Sequence, residues 1–136
     1  YDIISTALIS ENYAYIGGRS EELDAYILKA YDMEGNHLLT FGEKGKDGDD
    51  WLAYVSQIME IPEGFFGIDA NMRDLYIWGP DASVLGSVEA PDLFGARYAW
   101  IAGAAKQDDG SILVALTQDR DDDSATELLL YRLSGF

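Results

Sequence analysis

Short apolar runs, some alternating with polar residues and some continuous, recur along the chain, and each is stopped by a cluster of Gly, Asn, Asp or Pro. Helical periodicity is hard to find. The pattern predicts strands joined as hairpins: residues 5–9 and 13–17 around Ser10-Glu11-Asn12, 54–61 and 65–69 around Pro62-Glu63-Gly64, and 100–106 and 112–117 around Asp108-Asp109-Gly110. The turn residues tolerate positive φ or cap their own backbone, so they end one strand and start the next. A polar loop and a further strand follow each hairpin, at 25–31, 74–78 and 127–133.

The arrangement is an internal repeat. Tyr31, Trp78 and Tyr131 fall at equivalent ends of the third strands, which gives a period of about 50 residues. After Tyr31 come Asp32-Met33-Glu34-Gly35-Asn36 and a fourth strand, 37–41; after Trp78 come Gly79-Pro80-Asp81-Ala82-Ser83 and a fourth strand, 84–88. The third unit reaches Phe136 without a fourth strand. A four-stranded unit cannot bury both faces alone, and stacking such units around an axis is the propeller solution. The expected fold is therefore all-β: three antiparallel blades, about 1–46, 47–94 and 95–136, the last lacking its outer strand, in a single partial propeller domain.

Composition supports a folded chain, since 48% of its 136 residues are hydrophobic and 12% aromatic. Nine basic residues against 25 acidic ones give a net charge of -16, which leaves no basic stripe for phosphates and makes nucleic acid and anionic membranes poor partners. The same charge serves solubility or a salty medium, or attracts cations and basic partners. The absence of cysteine excludes disulfides, thiolate metal sites and cysteine nucleophiles. No apolar run approaches the roughly 18 residues of a membrane helix. The chain opens on Tyr1 with no charged-then-apolar leader, so a processed or trimmed N-terminus is expected.

The stretch Ala25-Tyr26-Ile27-Leu28-Lys29-Ala30-Tyr31-Asp32-Met33-Glu34-Gly35-Asn36-His37-Leu38-Leu39-Thr40-Phe41-Gly42 resembles the closing hairpin of an NHL-type blade, of the six-bladed, TolB-like propellers. Glu43-Lys44-Gly45-Lys46-Asp47-Gly48-Asp49-Asp50-Trp51 resembles the connector between two such blades. Asp69-Ala70-Asn71-Met72-Arg73-Asp74 resembles the family's segment before the third strand, one residue short between Asp69 and Asn71; the third unit has no such element. The resemblance implies a six-bladed ring of which this chain is half, and the C-terminal half if an N-terminal strand completes the last blade. It also implies that 18–24, 41–51, 69–73, 91–97 and 118–126 share the ligand-binding face, with Arg19, Asn71, Arg73 and Arg97 upon it.

The family spans interaction platforms, lactone hydrolases and lyases, so chemistry must come from residues. Asp47, Asp49 and Asp50 have the spacing to wrap a hard cation such as calcium, or form a solvated connector turned by Gly45 and Gly48. Asp119, Asp121, Asp122 and Asp123 repel one another, which calcium, a basic partner or plain solvent would relieve. His37 is the sole histidine and has neither a second metal ligand nor a serine motif beside it; Gly17-Gly18-Arg19-Ser20 lacks the lysine and length of a phosphate loop. Tyr13, Tyr15, Phe65, Phe66, Tyr76, Trp78, Tyr98, Trp100 and Tyr131 serve packing between blades or line a carbohydrate or peptide groove. The expected function is a non-catalytic binding or protein-interaction platform in a secreted, periplasmic or envelope-associated protein, without an obligatory cofactor. The rivals are half of a calcium-dependent propeller enzyme acting on lactones or polysaccharides, and a half-propeller completed by a second copy.

Overall fold

A computed structural model of the chain describes residues 3–95, 99–119 and 126–135. Eleven strands are described: β1 (Ile3–Ile9), β2 (Ala14–Ser20), β3 (Ala25–Tyr31), β4 (His37–Phe41), β5 (Val55–Ile61), β6 (Gly64–Asp69), β7 (Asp74–Trp78), β8 (Val84–Glu89), β9 (Ala99–Lys106), β10 (Ile112–Asp119) and β11 (Thr126–Leu133). They form three antiparallel meanders, ordered β1-β2-β3-β4, β5-β6-β7-β8 and β9-β10-β11. The fold is all-β and blade-like, and the three sheets do not close a ring. β1 touches β5 and β5 touches β9, so the first strands of successive sheets line one side of the stack.

The hydrophobic pattern explains why the sheets stack. Cross-strand partners share a face, so the β6–β7 register, with Phe65 opposite Trp78 and Phe66 opposite Ile77, sorts alternate residues to opposite sides of the middle sheet. Phe65, Tyr76 and Trp78 join Tyr15, Leu28, Ala30 and Phe41 of the first sheet in one buried cluster. Phe66, Ile68 and Leu75 join Ile112, Val114 and Leu116 of the third sheet in another. The middle sheet is thus buried on both faces, and each outer sheet on one.

Trp78 is the largest fully buried side chain. Its ring stacks on Tyr76 at 5.1 Å between centroids and meets Phe41 edge-on at 4.9 Å. It also lies across Gly67, where any Cβ would run into the indole. Glycine is therefore required by a close approach within a strand, not by a turn.

Two features break the strand pattern. A 3-10 turn at Gly45–Asp47 shapes the first connector. The second connector, expected as a plain loop, contains a five-residue helix, α1 (Ala90–Phe94), started by Pro91 and stopped by Gly95 at φ 64°. It is too short to leave a 3.6-residue period in the sequence. Phe94 of α1 packs on Tyr131, with ring centroids 4.8 Å apart, and so helps seat the third sheet on the second. Replacing Gly67 by Ala should overpack the first interface and lower stability by about 2 kcal/mol, read as a shifted midpoint in chemical denaturation.

Candidate functional site

In a meander the hairpins joining first to second and third to fourth strands lie at one end, and the turns between second and third strands lie at the other with the inter-sheet connectors. That second end carries the expected ligand face. The β2–β3 turn, residues 21–24, and the β6–β7 turn, residues 70–73, are the same device: each ends in a non-glycine residue in the left-handed region, Asp24 at φ 48° and Arg73 at φ 58°, just before the third strand begins. Such a backbone costs about 1 kcal/mol per residue.

Around the first turn, Arg19 pairs with Asp24, and the Lys46 ammonium lies 3.0 Å from the other Asp24 oxygen. Hydrogen bonds from Lys46 and Arg19, with their charges, hold the Asp24 carboxyl below the usual carboxylate range. Lys46 also reaches over the ring of Trp51, 5.9 Å from its centroid. These residues, with Ser5, Tyr26 and Ala53, line a groove of about 470 Å³. On the next sheet the Arg73 guanidinium lies 5.3 Å from the centroid of Trp100. Trp51 and Trp100 are 47% and 53% exposed, unusual for residues of this size in a protein that buries its third tryptophan completely.

Beneath this face two buried carboxylates fix the connectors. Asp69, fully buried at the end of β6, accepts from the backbone N–H groups of Ala53, Tyr54, Asn71 and Met72 at 2.6 to 3.3 Å. One carboxylate thereby closes the β6–β7 turn and pins the connector that delivers Trp51. Asp50 accepts from the Gly42 N–H at 3.0 Å and the Trp78 indole N–H at 2.9 Å. Burial raises its pKa against these donors. Asp74 is likewise raised by burial, eased by a hydrogen bond from Tyr76.

The expected cation ligands Asp47, Asp49 and Asp50 differ in burial. Asp50 turns inward while Asp47 and Asp49 stay toward the outside. Asp119 is the last residue of β10, and Asp121, Asp122, Asp123 and Arg97 lie outside the described residues. Among the described residues no three of His, Cys, Asp and Glu gather where they could hold a metal ion. Of the arginines and Asn71 expected on the ligand face, Arg19 lines the groove with Trp51, Arg73 lies against Trp100, and Asn71 serves the turn, donating its backbone N–H to Asp69. His37 lies toward the opposite end, its Nε2 within 3.0 Å of Leu39 O and 2.9 Å of Thr40 Oγ1 in its own strand.

Lys46 and Trp51 were not singled out from sequence, although both sit in the Gly- and Asp-rich connector that was. Glu60 was missed as well. At the hairpin end its carboxylate accepts from Ser10 Oγ at 2.6 Å and Tyr15 OH at 3.1 Å, and its backbone oxygen accepts from Lys106 Nζ at 2.9 Å, so one residue ties all three sheets. Compared with known proteins, the chain matches no family model and no curated protein sequence.

The pKa shifts predict an acid-side optimum of stability. Asp50 and Asp74 bind a proton more readily folded than unfolded, so their contribution grows as pH falls through their raised values toward the ordinary 3.8. Asp24, Asp32, Asp81 and Asp109 are held below 3.8 by hydrogen bonds, from Lys46, Asn36, Ser83 and Ser111 first in each case, and their contribution is lost only on further acidification. Thermal melts should therefore rise in midpoint from pH 7 toward pH 4 and fall below it, and Asp50→Asn should flatten the rise.

Proposed function

We propose that the chain is a non-catalytic binding platform, built from NHL-type propeller blades, that takes a neutral carbohydrate chain along its connector face. The observation that carries this reading is the pairing of each exposed tryptophan with a cation: Trp51 with Lys46 in the groove that also holds Arg19 and Asp24, and Trp100 with Arg73. A sugar ring stacks on an indole through its C–H face, and neighbouring guanidinium and carboxylate groups bind its hydroxyls. The Arg19, Asp24 and Lys46 set supplies donors and an acceptor already held in place by one another. The net charge of -16 disfavours an anionic polymer.

The connector is held by Asp50 and Asp69, so Trp51 is presented from a fixed backbone and little ordering is left to binding. Asp24 and Arg73 occupy strained backbone on the same face, where ligand-contacting residues concentrate.

Tryptophan fluorescence titrations with neutral oligosaccharides of glucose, N-acetylglucosamine, xylose and mannose test the reading. At least one should bind, Trp51→Ala should weaken it about tenfold or more without altering the melting midpoint, and salt should have little effect. Binding of basic peptides instead, abolished by salt, would replace the carbohydrate by a charged protein partner; no response to any sugar would end the carbohydrate reading.

A further inference from the structure

The hairpin end holds a second groove, of about 330 Å³, between the first and second sheets. Both of its walls belong to described sheets, so neither the start nor the end of the sequence opens it. Asn12 and Tyr13 of the β1–β2 turn, Glu60 of β5, Pro62 of the β5–β6 turn, Phe65 of β6 and Pro80 of the β7–β8 turn line it. The volume is near the lower limit of small-ligand sites.

The walls are fixed before anything binds. The Tyr13 N–H donates to Ser10 Oγ at 3.2 Å and the Ser10 N–H to the Tyr13 carbonyl at 2.9 Å, which closes the first turn. The Tyr13 ring meets Phe65 edge-on at 5.5 Å between centroids and lies 5.8 Å from Tyr15. Gly64, at φ 145°, lies so close to the backbone of Trp78 and Gly79 that a Cβ there would overlap both, so the β5–β6 turn is held against the segment that leads into Pro80. Preformed walls leave little ordering cost to binding.

A single carboxylate lines this groove. Glu60 receives the Ser10 hydroxyl at 2.6 Å on one oxygen and the Tyr15 hydroxyl at 3.1 Å on the other. Burial first, and then the Glu60 charge, raise the Tyr15 pKa, so its hydroxyl stays a neutral donor. The two hydroxyls use about two of the roughly four lone-pair positions of a carboxylate. Lys106 donates to the Glu60 backbone oxygen. Acceptor capacity therefore remains beside two aromatic rings and two prolines, where an opposite charge is attracted more strongly than in water. Glu11 and Glu63 adjoin the lining residues Asn12 and Pro62 along the chain, and Glu63 Oε2 is buried with no hydrogen-bond partner.

We infer that this groove is a second binding site, for the ammonium or guanidinium head of a lysine or arginine side chain on a protein partner. Aromatic rings and a carboxylate suit such a head group, and Phe65 and the prolines suit its aliphatic stem. The net charge of -16 draws a basic partner in and repels an acidic one. The groove lies at the opposite end of the sheets from the connector face, so the inference is independent of the carbohydrate reading.

NMR titration of the 15N-labelled chain with blocked glycine-rich peptides carrying a single lysine or a single arginine tests it. Saturable shifts are expected at Tyr13, Glu60, Gly64 and Phe65, and the lysine peptide with its side chain acetylated should bind about tenfold more weakly. Glu60→Gln, which keeps the side-chain shape and one acceptor oxygen, should weaken binding about tenfold. Asn12 is exposed, so Asn12→Lys should weaken binding by placing a competing charge at the rim without moving the melting midpoint, and it serves even if Glu60→Gln loosens the sheets. Trp51→Ala should change nothing. No saturable shift with either peptide, equal binding of the acetylated one, or binding unchanged by a folded Glu60→Gln or by Asn12→Lys overturns the inference. Shifts confined to Lys46 and Trp51 overturn it as well, since they would place the cation on the connector face.

Discussion

Trp78 enters between the first two sheets with its indole N–H on the Asp50 carboxylate, and much of the molecule is arranged to permit that contact. Gly67 clears the space beside the ring, Tyr76 and Phe41 pack against it, and Asp50 is carried inward by the connector that leaves β4. A buried tryptophan of this kind contributes about 3 to 5 kcal/mol on truncation, comparable with a sizeable part of the stability of a small domain. The carboxylate is costly to bury, and the two N–H donors offset that cost. A single interaction thus couples sheet stacking to the path of the connector.

The same coupling places the candidate site. Asp50 and Asp69 hold the two ends of the stretch that presents Trp51, and the left-handed residues Asp24 and Arg73 close the turns on either side of it. The binding face is made of turns and connectors whose backbone is fixed by buried acceptors, while the apolar packing lies beneath. The hairpin end is tied instead by Glu60, which gathers donors from the first and third sheets onto β5. The excess of acidic residues therefore has two parts: a solvated majority that sets net charge, and a few carboxylates that substitute for missing backbone acceptors.

Strand order and most boundaries were legible in sequence, because period-two alternation and Gly, Asn and Asp turns leave local marks: residues 25–31, 37–41 and 74–78 are strands as expected, and the third sheet has three strands. The direction in which a connector side chain points was not legible. Asp47, Asp49 and Asp50 look alike along the chain, and only the tertiary contact with Trp78 distinguishes Asp50 as an internal acceptor. The helix at Ala90–Phe94 left only Pro91 and Gly95 as signs of its limits. For the site, Arg73 lies in a segment that resembles the family's, but its tryptophan neighbour comes from β9, and Lys46 meets Trp51 across the 3-10 turn, so these pairings exist only in three dimensions.

The stacking of the sheets is tested most directly by hydrogen exchange of the three tryptophan indole N–H groups, followed by NMR on the chain carrying 15N-labelled tryptophan. The account predicts that Trp78 exchanges slowest by a wide margin and is released by Asp50→Ala, while Trp51 and Trp100 exchange rapidly. Three indoles exchanging at similar, fast rates would show that the first two sheets are not packed face to face, and would contradict the account.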